Sequence, residues 1–297
     1  MLKAFIFSYS FLLTLAASGL CAAQGINFSS SDNSDEPVEV TAEDGFELHQ
    51  KEKRIYAYKN VAVKRGNATL NADKMTADYR ESSDGSRELW RLNAVGNVVM
   101  TSEGRIVKGE TAEYLLDNDS LTVYGKQASL DTDNEKVRAD SLEYNQGKHL
   151  FTAKGKAAII RDKGQVKADT ILIEFTENED KKLEINLMTA KDNVIITTKE
   201  ETATGDKAVY YPKSNEAVLT GNVKLTKGDN NLQGGEATVN LNTGISRIYA
   251  VDNNKEKSGS NAVNTTSTNS KGEPSKENNN RVRGVFLPDS VKKSTNK

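Results

Sequence analysis

The sequence predicts an all-β fold: an elongated antiparallel sheet, bent over on itself and built from about six repeats of roughly 30 residues. Three observations carry this reading. A turn-like element recurs at near-constant spacing, apolar and polar residues alternate around it, and the alternation slips by one residue at a recurring small–acid pair.

The recurring element is Lys59-Asn60-Val61, Gly96-Asn97-Val98, Gly125-Lys126-Gln127-Ala128, Gly155-Lys156-Ala157, Asp192-Asn193-Val194 and Gly221-Asn222-Val223. Successive first residues lie 37, 29, 30, 37 and 29 apart. The two long intervals hold polar stretches, Glu81 to Glu88 and Thr176 to Lys182, which read as loop insertions into a common period of 29 or 30. Two strands of about ten residues plus their turns account for such a period.

Thirteen or fourteen residues after each anchor stands a small residue followed by an acid: Ala72-Asp73, Gly109-Glu110, Ala139-Asp140, Ala168-Asp169, Gly205-Asp206 and Gly235-Glu236. Val137 and Ala139 share one parity, Leu142 and Tyr144 the other; the same slip separates Leu70 and Ala72 from Met75, Ala77 and Tyr79. In a flat strand that slip would turn the apolar set outward, so it predicts a bulge or sharp bend at each acid. In the fifth repeat Ala208 with Tyr210 and Val209 with Tyr211 fit equally well. Pro212 suits an edge or a turn. Helical periodicity is absent after the leader.

Each repeat carries an apolar strip: Met75 and Tyr79, Ala112 and Tyr114, Leu142 and Tyr144, Ile171 with Ile173 and Phe175, Val209 and Tyr211, Val239 and Leu241. These residues form a core. With aromatic residues at only 6%, an interior not filled by its own side chains is expected to leave an apolar groove along the axis.

The flanks differ from the repeats. Lys3, the apolar run Ala4 to Ala17 and Cys21-Ala22-Ala23 read as a signal peptide over residues 1–23, with an uncleaved membrane anchor as the alternative. Export to the periplasm is expected, and cleavage there removes the chain's one cysteine. Residues 24–36 read as a flexible N-terminus and 37–251 as the repeat domain. Residues 252–280 are mostly Asn, Ser, Lys, Thr, Glu and Gly and read as a disordered linker. Residues 281–290 read as a C-terminal strand that returns to a sheet edge, in its own chain or a partner's, and 291–297 as a tail.

Chemistry leaves little trace. With 40 basic and 42 acidic residues and a net charge of −2, no basic stripe is available for nucleic acid. His49 and His149 stand in polar, turn-like contexts and read as exposed loop residues. There is no Ser–His–acid arrangement, no Cys/His metal spacing and no glycine-rich phosphate cradle, so neither an enzyme nor a cofactor is expected. The repeated acids mark bends in one reading. In the other, two of them form a carboxylate pair of a β-helical carbohydrate-active enzyme. One acid in every repeat fits the bend better, since a catalytic pair occupies one place. A calcium-binding nonapeptide repeat is absent.

On these residues the chain resembles the periplasmic LptA family of the OstA-like superfamily. Pro37-Val38-Glu39-Val40, Tyr58-Lys59-Asn60-Val61, Leu70-Asn71-Ala72-Asp73-Lys74, Gly125-Lys126-Gln127-Ala128, Leu219-Thr220-Gly221-Asn222-Val223 and the segment from Arg281-Val282 to Val285-Phe286-Leu287-Pro288 match its elements in order. The resemblance implies a twisted, open β-jelly roll of V-shaped section. It also implies binding of the lipid A part of lipopolysaccharide and head-to-tail self-association. The implied partners are an inner-membrane LptC-like component and an outer-membrane LptD-like component. Its lipid-facing positions fall on Val38, Leu130 and Tyr144, with Met100 and Tyr114 as the alternative pair. Val40 of the opening element, with Met75, Leu142, Ile171, Ile173 and Phe175 from the strips, completes the expected lipid-binding set. The expected role is a lipopolysaccharide carrier and bridge, or else the membrane-anchored LptC-like partner of the same pathway.

Overall fold

Alternating residues bury one face of a strand, and most of the sixteen strands among the described residues bury that face against one another. The computed structural model describes residues 38–83, 85–162, 164–240, 242–243, 245–250 and 282–285. The expected leader, the 24–36 segment, the linker, the tail and most of the 281–290 strand lie outside the described residues. The strands are β1 (Glu39–Thr41), β2 (Phe46–His49), β3 (Arg54–Arg65), β4 (Ala68–Glu81), β5 (Arg87–Ser102), β6 (Arg105–Leu115), β7 (Ser120–Asp131) and β8 (Lys136–Asn145), followed by β9 (Leu150–Arg161), β10 (Gly164–Glu177), β11 (Leu183–Thr198), β12 (Glu201–Tyr211), β13 (Glu216–Lys227), β14 (Asn230–Asn240), β15 (Ile245–Tyr249) and β16 (Arg283–Val285). One 3-10 turn, Leu116–Asn118, joins β6 to β7.

From β3 to β15 each strand pairs antiparallel with the next, giving one open sheet that does not close into a barrel. Nearly every strand breaks register in its middle, at the positions where the alternation slips. β3 skips between Tyr58 and Val61, β5 between Val95 and Val98, β11 between Lys191 and Val194, and β13 between Thr220 and Val223. The anchor residues supply the bend. Gly96 and Asn97 have φ of +79° and +48°, Lys59 and Asn60 +61° and +48°, Asp192 and Asn193 +62° and +52°. Two consecutive left-handed residues turn the chain sharply, which glycine and asparagine tolerate best. The Gly125 element lacks this signature among the positive-φ residues and instead leaves out three residues between Tyr124 and Ala128.

The repeated acid clasps the bend of the following strand. Asn97 Nδ2 donates to both carboxylate oxygens of Asp73, at 3.1 and 2.9 Å. Asn193 donates to Asp169 at 2.7 Å and Asn222 to Asp206 at 2.9 Å. A Cβ on Gly96 would run into the Asp73 side chain. Asp73, Asp169 and Asp206 are exposed, so the acids mark bends and point to solvent, as their recurrence predicts. The same clasp joins Asn60 to Glu43 at 2.7 Å. Ala42-Glu43 is thus a further small–acid pair, ahead of the six read from the sequence.

Because β3 to β14 bend along the same line, the sheet folds into two leaves. The first holds the segments on the 3-10 turn side, such as Ser120–Tyr124 and Thr170–Glu177; the second holds segments such as Ala128–Asp131 and Gly164–Ala168. One apolar cluster takes side chains from both, for example Leu142 and Ile171 from the first and Met100 and Ile159 from the second.

The polar stretches at 81–88 and 176–182 hold the expected loops, between Glu81 and Arg87 and between Glu177 and Leu183. The strands beside them are long, with β5 and β11 at 16 residues each forming extended hairpins with β4 and β10. An added register shift at Asp78/Tyr79 in one and Glu174/Phe175 in the other absorbs the change of face. In the fifth repeat Ala208 and Tyr210 face inward, while Tyr211 is 42% exposed. The strip there is not Val209 with Tyr211.

Both end strands are split. β1 and β2 pair with the two halves of β3, and β15 and β16 with the two halves of β14. The C-terminal strand therefore lies on an edge of its own chain, with Leu232 opposite Gly284.

Candidate interior groove

Cross-strand register fixes which side chains meet inside. On the first leaf Ala57, Met75, Ala94, Ala112, Val123, Leu142, Ala153, Ile171, Ala190, Ala208, Leu219, Ala237 and Ile248 stand opposite one another in unbroken succession from β3 to β15. A second row beside it runs through Leu92, Tyr114, Leu121, Tyr144, Phe151, Ile173, Met188 and Tyr210. On the second leaf the row is Val40, Val63, Leu70, Met100, Val107, Leu130, Val137, Ile159, Val166, Ile196, Ala203, Leu225 and Leu232. Twelve steps separate β3 from β15, so the apolar lining is on the order of 60 Å long at about 4.8 Å per strand.

The expected lipid-facing residues fall on these rows. Met75, Leu142 and Ile171 lie in the first row, Tyr114, Tyr144 and Ile173 in the second, and Val40, Met100 and Leu130 in the row of the opposite leaf. Phe175 continues the first leaf towards its rim, opposite Ile185. Val38 precedes β1 and is 53% exposed. The register brings Tyr114 and Tyr144 together through Leu121, and Met100 and Leu130 through Val107. Glu143, by contrast, pairs with Thr122 and Thr152 on the outer face.

Filling is uneven along the rows. Ile171 and Ile173 are fully buried, Met100 is 1% exposed, and Leu130, Leu142 and Phe175 are buried too. In the middle, therefore, the leaves pack directly against each other. At the N-terminal end Val40 is 41%, Phe46 55% and Leu48 46% exposed. Phe46 and Leu48 stand opposite the inward Ala57 and Ile55, so the inner face itself is uncovered there.

Charged groups gather at the rims. Asp78 is buried between Arg54 and Arg91 at the N-terminal end; Arg91 Nε donates to it at 2.7 Å and Arg54 donates from the other side. Burial raises the Asp78 carboxyl, yet the two guanidinium groups outweigh it and hold the group below its usual range. On the second leaf's rim Arg161 Nη2 donates to Glu135 Oε2 at 3.0 Å, with side chains 9% and 2% exposed. No period in the sequence marks this pair. The histidines are not freely exposed; His49 ends β2 and only His149 lies in a turn. His49 bonds Glu47 and then Glu52, which raises its pKa. His149 is half-buried, with Nδ1 lacking a hydrogen-bond partner. Among the described residues no three His, Cys, Asp or Glu side chains gather as metal ligands would. Nor is any described helix long and apolar enough to cross a membrane.

A model of the family described as "LptA/(LptD N-terminal domain) LPS transport protein" matches the chain twice, over residues 39–147 and 136–245. Together the matches span more than half of the chain. The second starts 97 residues after the first, about one set of three repeats, and they share β8. No curated protein matches the sequence. Among solved structures, the chain is similar to LptH from Pseudomonas aeruginosa, titled the LptA-homologous periplasmic component of the lipopolysaccharide transport device. The identity is 15% and the TM-score 0.38, covering 52% of this chain and 95% of that one.

Proposed function

This chain belongs to the LptA/LptD N-terminal family of lipopolysaccharide-transport proteins, and from that premise we propose that it is a periplasmic carrier that shelters the acyl chains of lipid A between its two leaves. The observation that carries the proposal is the facing apolar rows, continuous across the sheet and interrupted by no charged residue. Exposing an acyl chain of about a dozen carbons to water costs on the order of 10 kcal/mol at about 0.8 kcal/mol per methylene. Several such chains on one lipid make unaided passage through water far too slow. A continuous apolar lining removes that cost at every point along its length.

The closed middle sets a condition on the mechanism. Met100, Ile171 and Ile173 already contact their own neighbours, so lipid enters by parting the leaves and replacing those contacts with its own. The exchange is nearly neutral in apolar area. The alanines of the first row, such as Ala153 and Ala190, keep the side chains that must move few and small. The N-terminal end, with its uncovered inner face, suits hand-over to a further copy stacked head to tail or to an LptC-like or LptD-like partner at a membrane.

Photo-crosslinkers at Leu130, Tyr144 and Ile173 are expected to capture lipopolysaccharide, while one at Glu143 on the outer face does not. Equal labelling at all four positions would remove the groove assignment.

A further inference from the structure

Glu135 and Arg161 put charge where the fold makes charge costly. Glu135 closes the β7–β8 turn: its N–H donates to Thr132 Oγ1 at 3.1 Å and its carbonyl accepts from the Thr132 N–H at 2.9 Å. That turn aims the carboxylate inward, leaving the residue 4% exposed. Oε2 is bonded by Arg161 at 3.0 Å, whereas Oε1 is buried with no hydrogen-bond partner. A buried ion pair offsets its desolvation only when the remaining lone pairs are satisfied as well. Here one carboxylate oxygen is not, so the pair is a poor device for stability alone.

Its position suggests another use. Arg161 ends β9 two residues beyond Ile159, and Glu135 lies two residues before Val137. Both thus sit where the apolar row of the second leaf meets the rim. The guanidinium charge also acts on Tyr210, which stands in an inward row of the opposite leaf. A cation at the border of an apolar lining, within reach of both leaves, is placed for the head of an amphiphile whose chains lie inside.

We propose that Arg161 is the seat for a phosphoester headgroup of the bound lipid, and that Glu135 is the resident counter-ion that gives up the guanidinium when the headgroup arrives. The inference rests on the carrier reading above. A guanidinium fork matches two phosphate oxygens as well as it matches a carboxylate. In the exchange the phosphate takes the N–H donors of Arg161, and Glu135 accepts a proton from solvent. The charge at the site balances, and the new carboxyl O–H becomes a donor to the phosphate. Burial already pushes the Glu135 carboxyl up from its usual range, with Arg161 drawing it part of the way back, so the proton is taken up readily. Arg161 of β9 is the charge that acts on Glu135; Tyr210 of β12 is pushed up by burial and titrates above the range tested.

The test uses the full chain and two synthetic acylated glucosamine lipids, identical except that one carries a methyl phosphodiester, a single negative charge throughout the pH range tested. Affinities are measured between pH 5 and 8 for the wild type, Arg161→Gln and Glu135→Gln. The wild type is expected to prefer the phosphorylated lipid about tenfold, with that preference falling up to about tenfold per pH unit above the titration of Glu135. Arg161→Gln brings the phosphorylated lipid down to the affinity of its twin. Glu135→Gln keeps the preference and flattens its pH dependence, a readout that stands even if the arginine variant does not fold. A preference that survives in Arg161→Gln overturns the proposal, as does an unchanged pH slope in Glu135→Gln. Inorganic phosphate that competes as strongly as the lipid also overturns it, by making the seat one for free phosphate. If the wild type binds neither lipid, the carrier reading itself falls.

Discussion

The N-terminal end and the middle of the sheet carry the same inward rows but hold them differently. In the middle, Ala153, Ile171 and Ile173 have strands on both sides and the second leaf overhead, and none is exposed. At the N-terminal end, Val40, Phe46 and Leu48 belong to the split strands β1 and β2, which have a neighbour on one side only, and between 41% and 55% of each is exposed. The residue types are alike, so the difference comes from what surrounds them. A row of apolar residues in a bent sheet is core where leaves overlap and binding surface where they do not. The middle therefore bears the stability of the fold, and the end bears the surface that water leaves unpaired with anything apolar.

The largest expected effect tests that division directly. Ile171→Ala or Ile173→Ala removes fully buried methylenes and is expected to cost about 2–5 kcal/mol in denaturant unfolding. Val40→Ala is expected to cost under about 0.5 kcal/mol. Equal costs would mean that the end is packed as tightly as the middle.

Next comes the ion clamp that holds the N-terminal end together where apolar cover is thin. Asp78→Asn breaks the charge-assisted bonds to Arg54 and Arg91 and is expected to cost about 1.5–3 kcal/mol at pH 7. The Asp78 carboxyl lies below its usual range in the folded chain. Its contribution is thus present above the unfolded value, about 3.9, and is lost as pH falls through the lower folded value. The stability gap between wild type and Asp78→Asn should therefore narrow as pH falls below about 3.9, followed by urea unfolding at stepped pH. A gap that stays undiminished from pH 5 to pH 2 would rule out the ionised clamp.

Much of this architecture was legible in the residues. The left-handed anchors and small–acid pairs announced the bends, because a bend needs the same chemistry each time: Asn97 with Asp73, Asn193 with Asp169. The same rule applied to Ala42-Glu43 would have found the clasp to Asn60. Where local patterns were degenerate, reading failed. Ala208 and Val209 are both small and apolar, so only the register with Ala190 and Leu219 settles which faces inward. Polarity at 81–88 announced the loop between Glu81 and Arg87, but not the length of the strands that lead into it. The Glu135–Arg161 pair was invisible because its partners lie 26 residues apart, one in the β7–β8 turn and one at the end of β9, outside any period. How tightly the leaves close over Ile171 depends on the overlap of whole leaves, which no alternation encodes.

A smaller effect separates packing from bending. Asp73→Ala removes the acceptor of Asn97, and Asp169→Ala that of Asn193, one near the end and one in the middle. Both clasps are exposed, so each is expected to cost about 1 kcal/mol in thermal or urea unfolding, at either place. A cost confined to Asp169 would tie the clasp to packing rather than to the bend.

The smallest change in stability is expected to give the sharpest view of the end. Phe46→Ser and Leu48→Ser alter side chains that are 55% and 46% exposed, so unfolding should move by less than about 0.5 kcal/mol. On the carrier reading, however, these side chains are the first apolar surface that an arriving acyl chain can touch without parting the leaves. Removing them leaves the final contacts along Leu130, Leu142 and Ile171 intact, so lipid affinity at equilibrium should change little. The rate of uptake should fall severalfold, with release slowed in proportion, as measured by stopped-flow fluorescence with a labelled lipid. If uptake is instead unchanged, lipid enters between the rims along the length of the molecule. The exposed end is then an edge for another protein strand rather than a mouth.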